Sequence, residues 1–350
     1  MAIESPFELG HEEVVLCQEP ASNYRAILAV HSTVLGPALG GTRMRAYDSA
    51  ADALTDALHL SRAMTYKNAA AGLALGGGKA VILEPAAPYD REELFLAHGR
   101  AVDRLGGRFI TGVDVGTSPG DFEIAGRATQ WVAGFEGRGG DPAIWTARGV
   151  VAGIKACAQY RWGSPALNGR VVALQGCGNV GAAVARTLAE AGAQLVLCDA
   201  DPDRVQQVAE EIGARVVEPG QIYELEADIF APCALGAILN DQTIPILAVQ
   251  VVAGAANNQL AQDRHAAALA ERGILYAPDF VMNAGGVISG SVPVLNQPHD
   301  AMVRQVDGIA DTLLEVFAEA DHEGITTVQA AERRAERALA RGRVPGAHSS

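Results

Sequence analysis

The hydrophobic positions of the chain follow two spacings, and their alternation predicts an α/β protein. Residues 168–199 are the clearest case: an apolar run, a glycine-rich turn, an alanine-rich helical pattern and a second apolar run. This is the strand, turn, helix, strand order of a βαβ unit, with Asp199 at the carboxyl end of its second strand. A helix over Asp201–Ile212 follows, because Asp201 can cap it and Pro202 suits its first position.

Short apolar runs after this unit predict the rest of a sheet. They lie at Ala214–Glu218, Asp228–Ala231, Val249–Ala253 and Leu275–Tyr276. Strands that alternate with helices or loops form a doubly wound parallel sheet. We therefore predict a Rossmann-type domain over residues 141–300.

The stretch before residue 140 has its own pattern and predicts a separate α/β domain, residues 1–140. Strand-like runs occupy Tyr24–His31 and Lys79–Leu83, and a helical pattern covers Ala50–Met64. The fold class predicted from the pattern is α/β with two domains.

A glycine-rich segment separates the two predicted domains. Gly134–Asp141 has four glycines among eight residues, which is typical of a boundary and allows a hinge before a helix at Pro142–Gln159. The pattern over Ala301–Ala340 is helical and increasingly charged, and these helices (about 300–340) could pack back on the first domain.

Length and composition narrow the function. A chain of 350 residues fits two domains, and 49% hydrophobic with 19% charged residues is typical of a soluble globular protein. The net charge of −14 argues against nucleic acid or an anionic membrane as partner. No apolar segment predicts a membrane helix or signal peptide, and the five cysteines form no CxxC pair, which predicts a reducing, cytoplasmic setting. The scattered histidines include no HExxH motif, so we predict no metal site.

Gly176, Gly178 and Gly181 form a GxGxxG motif between the first predicted strand and the helix. In a dinucleotide-binding turn, these glycines allow the tight turn, the approach of the pyrophosphate and close packing of helix on strand. Asp199, eighteen residues after Gly181, can accept hydrogen bonds from a ribose 2′-hydroxyl and would repel a 2′-phosphate. The cofactor predicted is NAD. The alternative for Asp199 is the flank of the next helix, but Asp201 suits that cap better and leaves Asp199 free.

Lys67 and Lys79 lie in the apolar and glycine-rich segment MTYKNAAAGLALGGGKAVIL, residues 64–83. A lysine held in a low-dielectric pocket beside another cation has a depressed pKa and can act as a base. One lysine could pair with a substrate carboxylate while the other activates water. The alternative is structural: Lys67 would extend from a helix end to solvent, and Lys79 would only start a strand.

A series of motifs, in order, resembles the glutamate, leucine, phenylalanine and valine dehydrogenase superfamily, most closely its short leucine/phenylalanine/valine/tryptophan branch. The motifs span both predicted domains and read LGPALGGTRM (35–44), MTYKNAAAGLALGGGKAVI (64–82), TGVDVGTS (111–118), TARGV (146–150), GCGNVG (176–181), AGAANNQL (253–260) and NAGGVI (283–288). The resemblance implies reversible oxidative deamination of an L-amino acid to its 2-oxo acid and ammonia, with NAD accepting the hydride.

Catalytic roles follow from the resemblance residue by residue. Lys67 matches the lysine that binds the substrate carboxylate, helped by Gly40 in what we interpret as a turn, and Lys79 matches the lysine that activates water. Asp114 matches the carboxylate that exchanges protons with the substrate amine, its alternative being a cap on the turn that follows. The side-chain pocket of the branch corresponds to Leu39, Gly112, Val287 and Gly290, with Asn258 also near the substrate.

The cofactor positions implied by the resemblance and the glycine motif form a larger set. Asn257 and Asn258 resemble a pair near the nicotinamide and the substrate, although paired asparagines could also only end a strand. Thr146 resembles a contact to the nicotinamide amide, and Cys233 is interpreted as packing and not as a nucleophile. The full predicted set is Gly176, Gly178, Asn179, Val180, Gly181, Asp199, Thr146, Cys233, Ala234, Leu235, Ala255 and Asn257.

Glycine at 112 and at 290 predicts an enlarged pocket, which favours phenylalanine or tryptophan over leucine or valine as substrate. The segment after NAGGVI departs from the family pattern, so a leucine/valine dehydrogenase stays open. A catalytically inactive NAD-binding regulatory protein is disfavoured by the presence of Lys67, Lys79 and Asp114. A hydroxy-acid dehydrogenase would need a His–acid or Arg arrangement that the sequence does not show. The resemblance also implies a homo-oligomer that assembles through the first domain, residues 1–140. It implies that this domain binds the substrate, that residues 141–300 bind the dinucleotide, and that a cleft lies between the two domains.

Overall fold

The computed structural model describes residues 5–133 and 141–342, which form two compact units. The first unit comprises the described parts of Met1–Gly139, Gly290–Gln297 and Ala335–Ser350, and the second comprises those of Gly140–Ser289 and Pro298–Arg334. Most of the predicted hinge, residues 134–140, lies outside the described residues. Of the predicted C-terminal helices, the part up to Arg334 groups with the second unit.

The first unit is built on a mixed five-stranded sheet of order β1-β2-β4-β3-β5. β1 pairs antiparallel with β2 and β2 with β4, whereas β3 is parallel to both β4 and β5. The strands are β1 (Glu13–Glu19), β2 (Tyr24–Ser32), β3 (Ala38–Arg45), β4 (Gly76–Leu83) and β5 (Phe109–Val113). Its helices in chain order are α1 (Ala50–Ala70), α2 (Arg91–Asp103) and α3 (Pro119–Ala125).

Two predicted elements of this unit are confirmed, and one strand starts earlier than predicted. Tyr24–His31 and Ala50–Met64 lie inside β2 and α1, whereas the strand predicted at Lys79–Leu83 begins at Gly76. The three additional residues are glycines, and a side chain at any of them would collide with its neighbours. A Cβ on Gly77 would lie 2.0 Å from the backbone nitrogen of Thr65 in α1. Glycine therefore lets α1 lie directly on the strand that carries Lys79.

The second unit contains a six-stranded parallel sheet of order β11-β10-β9-β6-β7-β8. This is the strand order of a Rossmann fold, so the predicted fold class is confirmed. The strands are β6 (Val171–Gln175), β7 (Gln194–Cys198), β8 (Arg215–Val216), β9 (Ile229–Pro232), β10 (Val251–Val252) and β11 (Leu275–Tyr276). The first helices are α4 (Pro142–Trp162), α5 (Asn179–Glu190), α6 (Pro202–Ile212), α7 (Arg264–Glu271) and α8 (Asp279–Met282).

The helix starts follow the predicted chemistry. The Asp201 carboxylate accepts the backbone N–H of Arg204, with Pro202 at the first position of α6, as predicted. β8 and β10 are shorter than predicted, two residues each, and both residues of the edge strand β8 are exposed. The last helices are α9 (Gly285–Leu295), α10 (His299–Asp307), α11 (Ile309–Glu323) and α12 (Thr327–Gly342). Within residues 5–133 and 141–342, none of the helices combines the length and apolarity needed to cross a membrane.

Each sheet has its own core. In the first unit, Leu28, Val30, Phe95 and Phe109 are fully buried between the sheet and α2. In the second, Phe230 and Leu269 belong to a cluster that surrounds β9 and β10. Burial on this scale is what holds the glycine-rich strand ends of both units in place.

Candidate active site

Lys79 lies inside the first unit, in the middle of β4, and is 6% exposed. Its Nζ forms an ion pair with the carboxylate of Asp114, which follows directly after β5. Burial lowers the pKa of Lys79, and although Asp114 opposes this, the pKa stays below its usual value. Lys79 therefore does not merely start a strand, because the strand pairs on both sides of it.

Asp114 faces two cations. Its carboxylate pairs with Lys79, and its Oδ2 lies 3.4 Å from the Nε of Arg43 on β3. Burial on its own raises the pKa of Asp114, but Lys79 and Arg43 outweigh it and hold the pKa below its usual value. The turn after β5 is held by other groups: the hydroxyl of Thr117 donates to the carbonyl of Asp114. The side chain of Asp114 faces Lys79 and Arg43, while Thr117 bonds to the backbone of the turn.

The two ionised groups come from strands that are not neighbours. β3 lies between β4 and β5, and the register places Gly41 next to Gly112 and between the two charged residues. A Cβ on Gly41 would lie 2.9 Å from the Cβ of Asp114 and 2.7 Å from the carbonyl oxygen of Val113. The absence of a side chain at position 41 is what lets the ion pair span β3.

The expected turn at Gly40 is wrong. Gly40 lies inside β3, paired with Thr111 of β5, and a Cβ there would lie 1.8 Å from the carbonyl oxygen of Gly78. The glycines are needed because three strands approach closely, and not because the chain reverses. Lys67 lies in the last turn of α1, and the amide of the next residue, Asn68, is buried and donates to the carbonyl of Gly76 at 2.5 Å. This contact fixes the end of α1 against the start of β4.

The predicted pocket positions differ in the space around them. Leu39 is buried in β3, and Gly112 is half-buried in β5. A Cβ on Gly112 would lie 3.1 Å from the carbonyl oxygen of Ala133, whereas one on Gly290 would have nothing within 4 Å. Val287 lies on α9 in the part that belongs to the second unit.

The GxGxxG loop of the second unit connects β6 to α5. Gly176 has a φ of +96°, a left-handed conformation that favours glycine, and Gly178 is the N-cap of α5. A Cβ on Gly181 would lie 1.9 Å from the carbonyl oxygen of Gly176, so the helix packs on the turn as the motif predicts. Asn179 and Val180 form the first turn of α5, whose free N–H groups suit a phosphate.

The sequence suggested that the side chain of Asp199 is free, but in the structure it is hydrogen-bonded to the loop. Its carboxylate accepts the backbone N–H of Cys177 at 2.6 Å and that of Asp201 at 2.9 Å. Arg204 lies 3.5 Å from Asp199 and 3.1 Å from Asp201. The bond to Cys177 holds Asp199 beside the glycine turn, which is where an adenosine ribose would have to lie.

A dinucleotide fits these residues. Gly178 has open space where a Cβ would be, and a cavity of about 390 Å³ beside it is lined by Cys177, Asn179 and Arg204 among others. The turn, the helix terminus and the acidic residue are therefore all present in one unit. Within the described residues, no group of three His, Cys, Asp or Glu side chains is arranged to hold a metal ion.

The remaining predicted cofactor positions also lie in the second unit. The hydroxyl of Thr146 donates to the carbonyl of Pro142 in the first turn of α4. The side-chain amide of Asn283 donates to Asn257 Oδ1 at 2.9 Å and to the carbonyl of Ala255, and the asparagine at position 258 has a φ of +50°. These contacts fix the loop that follows β10 at the carboxyl end of the sheet, where ligands of open parallel sheets bind.

The loop after β9 holds the other predicted cofactor contacts. Cys233 follows β9 directly, and its backbone N–H donates to the carbonyl of Gln175 in β6. Burial raises the pKa of Cys233 to about 12, so the thiol stays protonated and does not act as a nucleophile. The Cα and Cβ of Ala234 lie against Gly176, and Leu235 is exposed.

Sequence reasoning missed three residues of the first unit. Gly41 leaves room for the ion pair to span β3, Arg43 contacts Asp114, and Asp56 of α1 binds the guanidinium of Arg43. An arginine within the apolar strand ALGGTRM was the available signal, because a buried arginine needs a carboxylate partner. The partner lies 13 residues away on a helix, so its identity required the fold.

Comparison with known proteins gives matches along most of the chain. Residues 11–134 match the family model described as "Glu/Leu/Phe/Val dehydrogenase, dimerisation domain", and residues 198–342 match "Glutamate/Leucine/Phenylalanine/Valine dehydrogenase". The chain is similar to a leucine dehydrogenase of Geobacillus stearothermophilus, 48% identical over 93% of this chain and 90% of that one. It is 47% identical to an L-tryptophan dehydrogenase of Nostoc punctiforme, over 96% of this chain and 95% of that one.

A valine dehydrogenase and a solved structure are also similar to this chain. A valine dehydrogenase of Streptomyces coelicolor is 46% identical over 95% of this chain and 93% of that one. Among solved structures, the crystal structure of L-tryptophan dehydrogenase from Nostoc punctiforme superposes with a TM-score of 0.86 and 46% identity, covering 96% of this chain and 98% of that chain.

Proposed function

The chain belongs to the glutamate/leucine/phenylalanine/valine dehydrogenase family, and we propose on that premise that it oxidatively deaminates a hydrophobic, preferably aromatic, L-amino acid with NAD. The family consists of dinucleotide-dependent oxidoreductases that act on CH–NH₂ donors. The observation that carries the proposal is the buried ion pair of Lys79 with Asp114.

The proposed chemistry uses Lys67, Lys79 and Asp114. Lys67 pairs with the substrate carboxylate and orients the molecule. Asp114 accepts a proton from the substrate ammonium, which leaves the nitrogen lone pair free to assist departure of the Cα hydrogen as hydride. When bound, NAD supplies the hydride acceptor. The product of this step is the iminium form of the substrate.

Hydrolysis of the iminium follows from the same two side chains. The neutral amine of Lys79 takes a proton from water as the water oxygen bonds to the former Cα, which gives a carbinolamine. Asp114 returns its proton to the nitrogen and then, ionised again, takes the hydroxyl proton of the carbinolamine as the C=O bond forms and the C–N bond breaks. Ammonia and the 2-oxo acid leave, and Lys79 and Asp114 lose their extra protons to solvent. Burial lowers the pKa of Lys79, so its neutral form is available at a lower pH than for an exposed lysine.

NAD is favoured over NADP by the charges near the GxGxxG loop. Asp199 lies against the turn through its bond to Cys177, and a 2′-phosphate there would be repelled by its carboxylate. Arg204 could attract such a phosphate, but its charge is already matched by Asp199 and Asp201. The acidic pair therefore outweighs the single cation.

An aromatic substrate is favoured by the space at Gly290, where no atom lies within 4 Å of the position that a Cβ would take, and by the missing side chain at Gly112. Leucine or valine is the second candidate, because the leucine and valine dehydrogenases are as similar to this chain as the tryptophan dehydrogenase is. A regulatory role without chemistry is disfavoured, since the full Lys79–Asp114 pair is present.

We further propose a cytoplasmic homo-oligomer. The five cysteines are free in the structure, which suits a reducing compartment. β1 is the edge strand of the first sheet, and Leu16 on it is 73% exposed. An exposed apolar side chain on an open strand edge is a favourable place for a second copy to pair.

The proposal is tested by measuring nicotinamide reduction at alkaline pH with NAD and, separately, L-phenylalanine, L-tryptophan, L-leucine, L-valine and L-glutamate. The expected result is a higher kcat/KM for an aromatic substrate, with NADP much less effective than NAD. Turnover confined to leucine and valine would overturn the aromatic preference and keep the reaction class. Dinucleotide binding without turnover of any of the five would contradict the enzymatic proposal itself.

A further inference from the structure

The ion pair of Lys79 and Asp114 is one end of a longer row of charges in the first unit. Asp114 contacts Arg43, and the Nη1 of Arg43 lies 3.3 and 3.2 Å from the two carboxylate oxygens of Asp56. The Tyr47 hydroxyl donates to Asp56 at 2.6 Å. Positive and negative groups therefore alternate from β4 through β5 and β3 to α1.

Arg43 is suited to hold two carboxylates at once. A guanidinium presents several N–H donors in a rigid fork, and it stays charged at any pH that a protein tolerates. Nη1 donates hydrogen bonds to Asp56, and Nε lies 3.4 Å from the Oδ2 of Asp114 as an ion pair without a hydrogen bond, with Arg43 and Asp56 each only 21% exposed in their side chains. A lysine at this position would carry the same charge but could not bridge both partners in this way.

Asp56 is itself held in place. It lies on α1, the helix that also carries Lys67, and it accepts the Tyr47 hydroxyl. Burial, followed by the bond to Asp56, raises the pKa of Tyr47 to about 12, so the phenol remains a donor. Arg45 lies 4.0 Å from Asp56 and stacks over the Tyr47 ring. The anchor therefore fixes the guanidinium of Arg43 from the side away from the reaction.

We propose that Arg43 is a positioning residue for the reaction: anchored by Asp56, its guanidinium holds the Asp114 carboxylate against Lys79 and places a permanent positive charge beside the pair. The inference rests on the proposed roles of Lys79 and Asp114. Its physical content is that Lys79 loses its own charge when it acts as a base, whereas Arg43 does not. Asp114 thus keeps a cationic partner through the cycle.

The groups that face the pair define the expected titration behaviour. Apart from the effect of Lys79 and Asp114 on each other, the charged groups that act on the pair are Arg43 from β3 and Asp56 from α1. Arg91 of α2 contacts the loop after β5 through the carbonyl of Gly116, but its charge is paired with Asp121 of α3. Arg43 disfavours protonated Lys79 and favours ionised Asp114, whereas Asp56 favours protonated Lys79.

Two substitutions should consequently shift the pKa of Lys79 in opposite directions. Arg43→Gln removes a like charge and should raise the pKa of Lys79, and Asp56→Asn removes an opposite charge and should lower it. Each shift should be about half a unit to one unit for a charge in this partly buried position. If Arg43 and Asp56 only supported the fold, both substitutions would move the pKa of Lys79 in the same direction, because looser packing exposes the amine to water.

The measurement is the NMR titration of lysine side chains in the full-length protein labelled with ¹³C at Cε of lysine. The chain has only three lysines, Lys67, Lys79 and Lys155, so the signals can be assigned with Lys67→Arg and Lys155→Arg variants. Lys155 is exposed on α4 and is the internal reference. Arg25→Gln is the matched control, since it removes an exposed arginine charge from β2 of the same sheet.

The activity readout is the pH profile of kcat/KM. The mechanism needs neutral Lys79 and ionised Asp114, so both groups shape the acid limb of this profile. Arg43→Gln should move the acid limb upward in pH by about half a unit to one unit and lower kcat/KM on that limb by about three- to tenfold. Arg43→Lys should restore the charge and the position of the limb, but with a lower kcat because a lysine does not contact both Asp114 and Asp56. Arg25→Gln should change neither the Lys79 titration nor the limb by more than a fraction of these amounts.

The outcomes test the role of Arg43 separately from the proposed dehydrogenase activity. The role of Arg43 is overturned if the pKa of Lys79 moves in the same direction in Arg43→Gln and Asp56→Asn, or moves in neither. This holds even if the wild-type protein is an active dehydrogenase. Opposite shifts without turnover of any amino acid by the wild type would support the charge row and reject the proposed function. If Arg43→Gln does not fold, the Asp56→Asn and Arg43→Lys results decide the inference alone.

Discussion

Lys79 and Asp114 form an ion pair across an intervening strand, and the pair passes over Gly41, the residue of that strand that has no side chain. The ionised groups therefore depend on a backbone that approaches them closely. This arrangement places two groups with lowered pKa values in one buried position, which is a recurrent property of catalytic sites.

Gly41→Ala should separate the ion pair. The new methyl group would lie 2.9 Å from the Cβ of Asp114 and 2.7 Å from a backbone oxygen, so the end of β5 must shift. A displacement of this kind at a reacting group can lower kcat by about 100-fold. Steady-state kinetics would be compared with Gly120→Ala, where the nearest atom lies 3.9 Å away. Equal activity of both variants would show that the ion pair does not need the gap at Gly41.

Asp199→Ala should relax the choice between the two nicotinamide dinucleotides. The change removes a carboxylate that would repel a 2′-phosphate, and it leaves Arg204 with one acidic neighbour fewer. A hydrogen bond to a charged group contributes about 1.5–3 kcal/mol, so the NAD to NADP ratio of kcat/KM should fall by about 10- to 100-fold. Asp199→Asn, which keeps the shape, is the control for loss of the bond to Cys177. An unchanged ratio in the alanine variant would remove Asp199 from cofactor selection.

Gly290→Ala should reduce the preference for aromatic substrates without disturbing the fold. The added methyl enters open space, so the melting temperature should hardly change. If position 290 borders the substrate side chain, kcat/KM for phenylalanine should fall relative to leucine by about tenfold, the typical value for one methyl group in a pocket. Gly220→Ala, also in open space but away from the predicted pocket, is the matched control. The same substrate ratio in both variants would place position 290 outside the pocket.

The protein should lose stability in acid through His98. This fully buried histidine bonds to the hydroxyls of Tyr24 and Thr42 at 2.9 and 2.8 Å, and burial lowers its pKa to about 3. Because the folded-state pKa lies below the unfolded value, the stabilisation is complete above about pH 6.5 and declines as the pH falls toward 3. His98 alone should lower the free energy of unfolding by about 2 kcal/mol between pH 6.5 and pH 5.

Urea unfolding at the two pH values measures this loss. His31, whose pKa burial lowers to about 4, adds a loss of the same sign. His98→Gln, which cannot be protonated in this range, should show a smaller difference between the two pH values than the wild type. A pH dependence that is the same in both proteins would exclude His98 as its source.

The sequence predicted the parts of this protein that depend on local signals. The GxGxxG turn with the strand and helix around it, the Asp201 cap and β2 are encoded by neighbouring residues, and the structure has them where the pattern placed them. Gly40 was misassigned to a turn because glycine serves both for φ freedom and for close approach, and only strand pairing tells these uses apart.

The charge row could not be predicted for a different reason. Arg43 and Asp56 lie on separate elements, and although an arginine in an apolar strand indicates a carboxylate partner, the sequence does not say which one. Their bond appears only when α1 packs on the sheet. The same holds for Asp199, whose bond to Cys177 joins the ends of two neighbouring strands.

We propose that this chain removes the Cα hydrogen of an L-amino acid as hydride and releases ammonia with help from Lys79 and Asp114. The most direct test uses L-phenylalanine or L-leucine with deuterium at Cα, together with NAD, in the wild type and in Lys79→Ala and Asp114→Asn. The wild type should form deuterated NADH and ammonia in equal amounts, and both variants should bind NAD but lose turnover. Deuterium released to water, or variants as active as the wild type, would contradict it.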